Sequence, residues 1–155
     1  MAFKLGKDCK FYFISAPLAA VATGSEQWVL TGNVRDVAVD RSTGTADMTT
    51  RGNAGYRQRA ATLKEATITF EMLKDGADAA FQAFQAAYDT SSEIAVAAMD
   101  GLMSPGAGNS SSGLTGNFTV SDFSESQELE ESVKISVTLQ ASTHTNYLTV
   151  TGGGS

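Results

Sequence analysis

The sequence predicts a mainly β protein, an antiparallel β-sandwich or open barrel with one flanking α-helix and a long extended loop. Three observations carry this. Residues 62–74 and 132–141 alternate apolar and polar side chains, the period of strands that are dry on one face and wet on the other. A single stretch, residues 76–88, repeats its apolar residues at helical spacing instead. Segments rich in Gly, Ser and Thr without apolar period separate these runs.

Taken in order, residues 10–14, KFYFI, read as a first strand that ends before Pro17. Residues 27–40, QWVLTGNVRDVAVD, are strand-like but broken in phase at Gly32-Asn33, as at a bulge or kink. Residues 41–61 hold three Gly, four Thr and four Arg and read as a long exposed loop. In 62–74, Ala66, Ile68, Phe70 and Met72 point to the core, while Glu65, Thr67, Thr69 and Glu71 point to water. The helix follows, with Asp75 as N-cap, Asp78 in its first turn and Ala77, Phe81, Phe84 and Tyr88 as its packing stripe. Residues 93–99, EIAVAAM, form an apolar strand, and 100–116 form a second pliable loop. Strands at 117–123 and 132–141 complete the sheet around an acidic turn, 124–131. In the last strand Val133, Ile135, Val137, Leu139 and Ala141 face one side, and Ser132, Lys134, Ser136, Thr138 and Gln140 the other. Residues 1–150 read as a single domain without internal repeat, and 151–155 as a flexible Gly-rich tail.

At 155 residues, 42% hydrophobic and 18% charged, the chain can bury a core and is not a disordered composition. Its net charge of −6 lacks the basic footprint of a nucleic-acid binder. The charge is also uneven. Residues 1–74 hold ten of the eleven Lys and Arg against seven acids, whereas residues 75–155 hold Lys134 against ten, so the two halves are electrostatically complementary. Cys9 is alone, which rules out an intrachain disulfide, and no apolar run approaches membrane-spanning length. The stretch FYFISAPLAAVA after Lys4, Lys7 and Lys10 imitates a secretory signal, but Asp8 interrupts the basic segment and cleavage would remove the first strand.

The residue inventory is poor in chemistry. His144 is the sole histidine and stands beside no nucleophile motif, and Cys9 and His144 together fall short of a zinc ligand set. Glu125, Glu128, Glu130 and Glu131 lack the alternation and the Gly turn of a calcium loop. Gly106 and Gly108 begin a G-x-G, but Ser111 occupies the place of the third glycine. The sequons at Asn109 and Asn117 carry weight only on a secretory route. No catalytic residue, metal ligand or cofactor is expected. The strongest signal is Arg51, Arg57 and Arg59 around Tyr56, a combination able to grip phosphate and also enriched at protein interfaces, and the acidic second half of the chain favours the interface. Its expected partners are Asp122, Glu125, Glu128, Glu130 and Glu131 of another copy.

The run NVRDVAVDRSTGTADMTTRGNAGYRQRAATLKEATITFEML resembles the major tail tube proteins of long-tailed bacteriophages and prophages. The resemblance rests on Asn33-Val34-Arg35-Asp36-Val37, Ala46-Asp47, Thr49 to Asn53 and Leu63 to Met72. It continues through Lys4-Leu5-Gly6-Lys7, the helix, Phe118-Thr119-Val120 and the final LEESVKISVTL. It implies a structural subunit of the virion tail, made in the host cytoplasm, that forms hexameric rings stacked into a tube with a continuous β-barrel as inner wall. The loop after Val39 is then expected to reach the neighbouring ring. Partners are other copies and tail proteins such as the tape measure and terminator, while DNA passes through without specific binding and no membrane anchor is needed. Glu65, Thr67, Thr69, Glu71, Lys134, Ser136, Thr138 and Gln140 are the expected lumen lining, since alternation expels them from the core. Two alternatives stay open, a tube subunit of a related secretion or contractile injection system and a secreted ligand-binding β-domain.

Overall fold

In a computed structural model of the chain, residues 9–23, 26–103 and 108–151 are described. The N-terminal Lys4-Leu5-Gly6-Lys7, Gly106 and the Gly-rich 152–155 lie outside them. Among the described residues, eight strands and one helix follow in the order β1 (Lys10–Ile14), β2 (Val29–Thr31), β3 (Val34–Asp47), β4 (Arg59–Leu73), α1 (Ala79–Thr90), β5 (Glu93–Met99), β6 (Ser110–Ser126), β7 (Lys134–Ala141) and β8 (Asn146–Thr151).

The strands form one antiparallel sheet in the order β2-β1-β5-β6-β7-β4-β3. β2 and β3 stand at opposite ends of that order, yet only Gly32 and Asn33 separate them in the chain. Two residues span little more than roughly 10 Å, so the sheet must curl until its ends nearly meet. Of the two architectures expected, the open barrel is the one formed. Asn33 sits in the joint and donates its side-chain amide to the Leu73 carbonyl, tying the seam to the end of β4.

The concave face holds the core. Phe11 and Phe13 of β1, Ile94 and Val96 of β5, Phe118 of β6, Ile135, Val137 and Leu139 of β7, and Ala66, Ile68, Phe70 and Met72 of β4 converge there. The alternation read in 62–74 and 132–141 is therefore obeyed. α1 closes this face, and Phe84 lies among Phe70, Phe13 and Phe11 with ring centroids 5.1, 6.0 and 6.2 Å away. The helix starts later than expected: Asp78 is the N-cap, and the Asp75 carboxylate instead accepts from the Ala77 N–H at 3.0 Å, forming a turn ahead of it. Ala77 is consequently exposed, and the buried stripe is Ala80, Phe81, Phe84 and Ala87. Tyr88 is half exposed and stacks on Phe123 at 5.9 Å.

A smaller second core covers the convex face over β1 and β5, where Tyr12, Ala97, Met99, Met103 and Leu148 meet Trp28 and Leu18. Leu148 belongs to β8, a strand the sequence did not reveal. β8 extends the line of β7 along the same edge of β6, β7 pairing with Phe118–Ser126 and β8 with Ser110–Thr115. At the break between them Asn117, fully buried, exchanges hydrogen bonds with both backbone groups of Leu18 and donates to Thr143 Oγ1. The asparagine of a nominal sequon is thus a clamp.

Two expected loops are in part strand. Residues 110–116 open β6, which here is paired by β5 on one side and β8 on the other. Small residues are required in that position. A Cβ at Gly113 would collide with the Ala98 carbonyl group, and Gly116 has φ +152° with backbone of Thr145 2.8 Å from where a Cβ would stand. Likewise β3 runs on to Asp47 and β4 begins at Arg59, so only residues 48–58 of the expected 41–61 loop leave the ladder. The acidic turn also shrinks, because β6 continues through Ser126.

Candidate assembly surfaces

Three surfaces contain the residues singled out from the sequence. The first is a polar convex face on β6, β7, β4 and β3. Register places Thr67 opposite Gln140, Thr69 opposite Thr138 and Glu71 opposite Ser136, with Lys134 one row further, opposite Leu73. Glu65 lies just past the end of β7, opposite Ser42 of β3. Directly paired residues share a face, so the eight expected lining residues form one contiguous patch. The pairing adds residues that were not anticipated: Asp40 beside Thr67, Arg35 beside Glu71, and Thr119, Asp122, Ser124 and Ser126 from β6. Their signal was present as alternation in β3 and β6, but a bulge at Asp36, with φ +47°, and another between Val120 and Asp122 shift its phase. The patch is rich in hydroxyls and carries Asp40, Glu65, Glu71 and Asp122 against Arg35 and Lys134. Thr67 Oγ1 donates to Gln140 Oε1 at 3.2 Å, which fixes the centre of the face. Among the described residues no second layer covers it, in contrast with the convex face over β1 and β5.

The second surface is an arm. Beyond Thr67, β4 has no β7 partner and pairs with β3 alone, so residues 42–47 and 59–65 project as a two-stranded ribbon exposed on nearly all sides. Arg59 stands at the start of β4 opposite Asp47. Arg51 lies in a 3-10 turn (Arg51–Asn53) at the tip, and Tyr56 and Arg57 follow in the return. The tip is organised by Asp47, whose carboxylate accepts from the N–H and the hydroxyl of Thr49 at 2.9 and 2.5 Å. Those bonds hold the Asp47 carboxyl below its usual range. Thr49 Oγ1 in turn accepts from the Gln58 N–H at 2.9 Å, closing the arm. Tyr56 is 77% exposed and Leu63 80%. An isolated two-stranded ribbon is marginal in water, so this one is a structure that gains from a partner.

The third surface is the acidic turn, and the five expected acids do not act there as one group. Asp122 sits on the polar face opposite Thr138. Glu125, near the end of β6, is paired with Lys74 at 2.9 Å. Glu128, Glu130 and Glu131 occupy the β6–β7 turn itself, with Glu131 paired to Lys134 at 2.9 Å. The lysine contacts hold the Glu125 and Glu131 carboxyls below their usual value, and Lys134 is raised by Glu131. These exposed pairs orient the turn more than they stabilise it. The arm tip and this turn lie at opposite ends of β4, so the expected Arg–acid contacts are not formed within one chain; among the described residues no carboxylate pairs with Arg51, Arg57 or Arg59.

A single-sheet open barrel, helix-filled on its concave side and bearing a long two-stranded arm, is the class that this fold defines. The same fold occurs in components of phage-like tails, and the chain has the fold of tail tube proteins. It is similar to a chain in the tail of an empty gene transfer agent particle with C6 symmetry, at TM-score 0.67 and 17% identity over 94% of this chain and 98% of that one. A chain in the virion of a native gene transfer agent particle gives TM-score 0.69 at 12% identity, with the same coverage. The SPP1 tail tube gives 0.66 at 16% identity over 98% of this chain and 81% of that one. No family model and no curated protein matches the sequence.

Proposed function

We propose that this chain is a non-enzymatic structural subunit of a virion tail tube, assembling into rings, six subunits to a ring, that stack around a DNA channel. The observation that carries the reading is the agreement in fold over nearly the whole chain with subunits of phage-like tails, including one of C6 symmetry. The polar four-stranded face supports it. Its two outer edges, β3 and the second half of β6, lack neighbours on that side among the described residues, and exposed edges are a liability unless other copies pair with them. Six such sheets joined edge to edge close a barrel, which removes every edge.

In this arrangement the face of Glu65, Thr67, Thr69, Glu71, Lys134, Ser136, Thr138 and Gln140 lines the lumen. Hydroxyls with a surplus of carboxylates repel phosphate, whereas a basic wall would release counterions and grip the DNA. The arm reaches the adjacent ring, where Arg51, Arg57 and Arg59 meet acids of another copy, and tail proteins such as the tape measure and terminator complete the assembly. Electron microscopy of the purified protein at physiological salt tests this. Stacked rings with an open channel are expected, and a reconstruction with Glu65 and Glu71 on the outer surface would overturn the lumen assignment. A protein that stays monomeric across concentrations would overturn the function.

A likeness to a chain in the baseplate of the anti-feeding prophage, TM-score 0.56 at 9% identity over 92% of this chain, favours a second reading as a tube subunit of a contractile injection system. A tape-measure gene and head-to-tail connector genes beside this one would decide for the phage tail.

A further inference from the structure

We infer that Leu129, at the apex of the β6–β7 turn, is the apolar anchor by which one subunit seats in the arm tip of a second copy, joining subunits head to tail. This rests on the tube reading and adds to it the residue and the polarity of the joint.

Leu129 is 100% exposed, and Glu128 and Glu130 flank it. Glu125 is paired with Lys74 and Glu131 with Lys134 on the two sides of the turn, and these pairs orient the base from which the apex projects. Those pairs also sort the acids. Glu125 and Glu131 are ion-paired within the chain, Glu128 leans on Glu131 and Lys134, and Glu128 and Glu130 stand either side of the leucine in the sequence. The complementary features occur together at the arm tip, where Arg51 and Arg57 are exposed and Met48, 55% exposed, donates its N–H to the carbonyl of Gln58, the residue after Arg57. An exposed leucine flanked by acids thus has a counterpart in an exposed methionine on an arginine-bearing tip, a combination that gives a contact both burial and register.

Topology then fixes the geometry. Arg59 pairs with Asp47 at the arm end of β4, and Leu73 pairs with Lys134 at the turn end. At about 3.3 Å per residue these ends are roughly 45 Å apart, which no single subunit can bridge. A copy displaced along the strand direction brings its arm tip to the turn. The two surfaces differ, so the contact is heterologous and repeats without closing, as stacking requires.

The test is the critical concentration for tube growth, measured by sedimentation, for wild type, Leu129→Asp and Leu129→Met. Leu129→Asp should raise it at least tenfold with rings still forming and the unfolding midpoint of the subunit unchanged, because the side chain is fully exposed in the monomer. Leu129→Met should stay within twofold. Mixing rings of Leu129→Asp with rings of the Arg51→Glu/Arg57→Glu/Arg59→Glu variant should give stacks that stop at two rings, since the mixture offers one intact arm face and one intact turn face per junction. If Leu129→Asp elongates at the wild-type concentration, the inference is overturned while the tube reading stands. A wild-type protein that forms no rings overturns both.

Discussion

Truncating Phe84 to alanine removes the ring on which the helix is docked. Phe84 has no exposed surface, and its neighbours Phe70, Phe13 and Phe11 come from β4 and β1, strands far apart in the sheet order that face each other only because the sheet curls. A buried Phe→Ala change costs about 3–5 kcal/mol, more when the walls cannot collapse. Here the walls are barrel strands held by their ladders, and three aromatic partners are lost together, each pair contributing about 0.5–1.5 kcal/mol beyond its area. We therefore expect about 4–5 kcal/mol, a fall in Tm of roughly 12–15 °C for a domain of this size. Urea unfolding of dilute, unassembled subunit, followed by circular dichroism, measures it. Tyr88→Ala is the internal comparison, since that ring is 46% exposed and should cost only about 1 kcal/mol. A loss below about 1 kcal/mol at Phe84 would refute the packing argument.

Reversing Arg51, Arg57 and Arg59 to Glu should leave a folded subunit that no longer elongates, and Glu128→Lys with Glu130→Lys should partly restore growth; normal tubes from the triple variant at physiological salt would remove the electrostatic joint. Gly113→Ala should abolish soluble expression or lower Tm severely, because the added methyl meets the Ala98 carbonyl, which is backbone and held in the β5–β6 ladder; a wild-type Tm would mean β6 is placed wrongly. The β6–β7 turn should respond to pH. Glu125 and Glu131 are depressed, so their support is present above the usual carboxyl pKa of 4.5 and lost as pH falls through the lowered values. Lys134 is raised, so its support is present below 10.5 and lost as pH rises through the higher value. Amide exchange at 127–133, corrected for intrinsic rate, should be flat between these limits and faster outside them, and a profile without acid acceleration would show that the lysine pairs do not hold the turn.

How much of this was legible in the sequence differs from one element to the next. Strands with one dry face were plain, since Ala66 to Met72 and Ile135 to Leu139 carry the period of a half-buried strand. The break at Gly32-Asn33, the helix and the eight polar residues of the convex face were readable on the same ground. The arm was misread as a loop because periodicity reports burial rather than backbone conformation. Residues 42–47 and 59–65 are wet on both faces, so nothing selects an alternation even though their backbones form a regular ladder. The opening of β6 failed for the opposite reason. Crowding between β5 and β8 demands Ser and Gly there, and the same residues are the composition of a flexible loop.

The sequence by itself determined what is local: which side chains must leave water, where the chain turns, and that the two halves carry opposite charge. These follow from side-chain chemistry and spacing along one strand or helix. Only the tertiary structure decided which strands are neighbours, that the sheet curls into an open barrel, and that the acidic residues divide among a polar face, an ion-paired stem and a turn. It also set the arginine tip and that turn at opposite ends of β4. Such relations depend on register and strand order, fixed by hydrogen bonds between residues as distant as Thr67 and Gln140, and no local pattern encodes them.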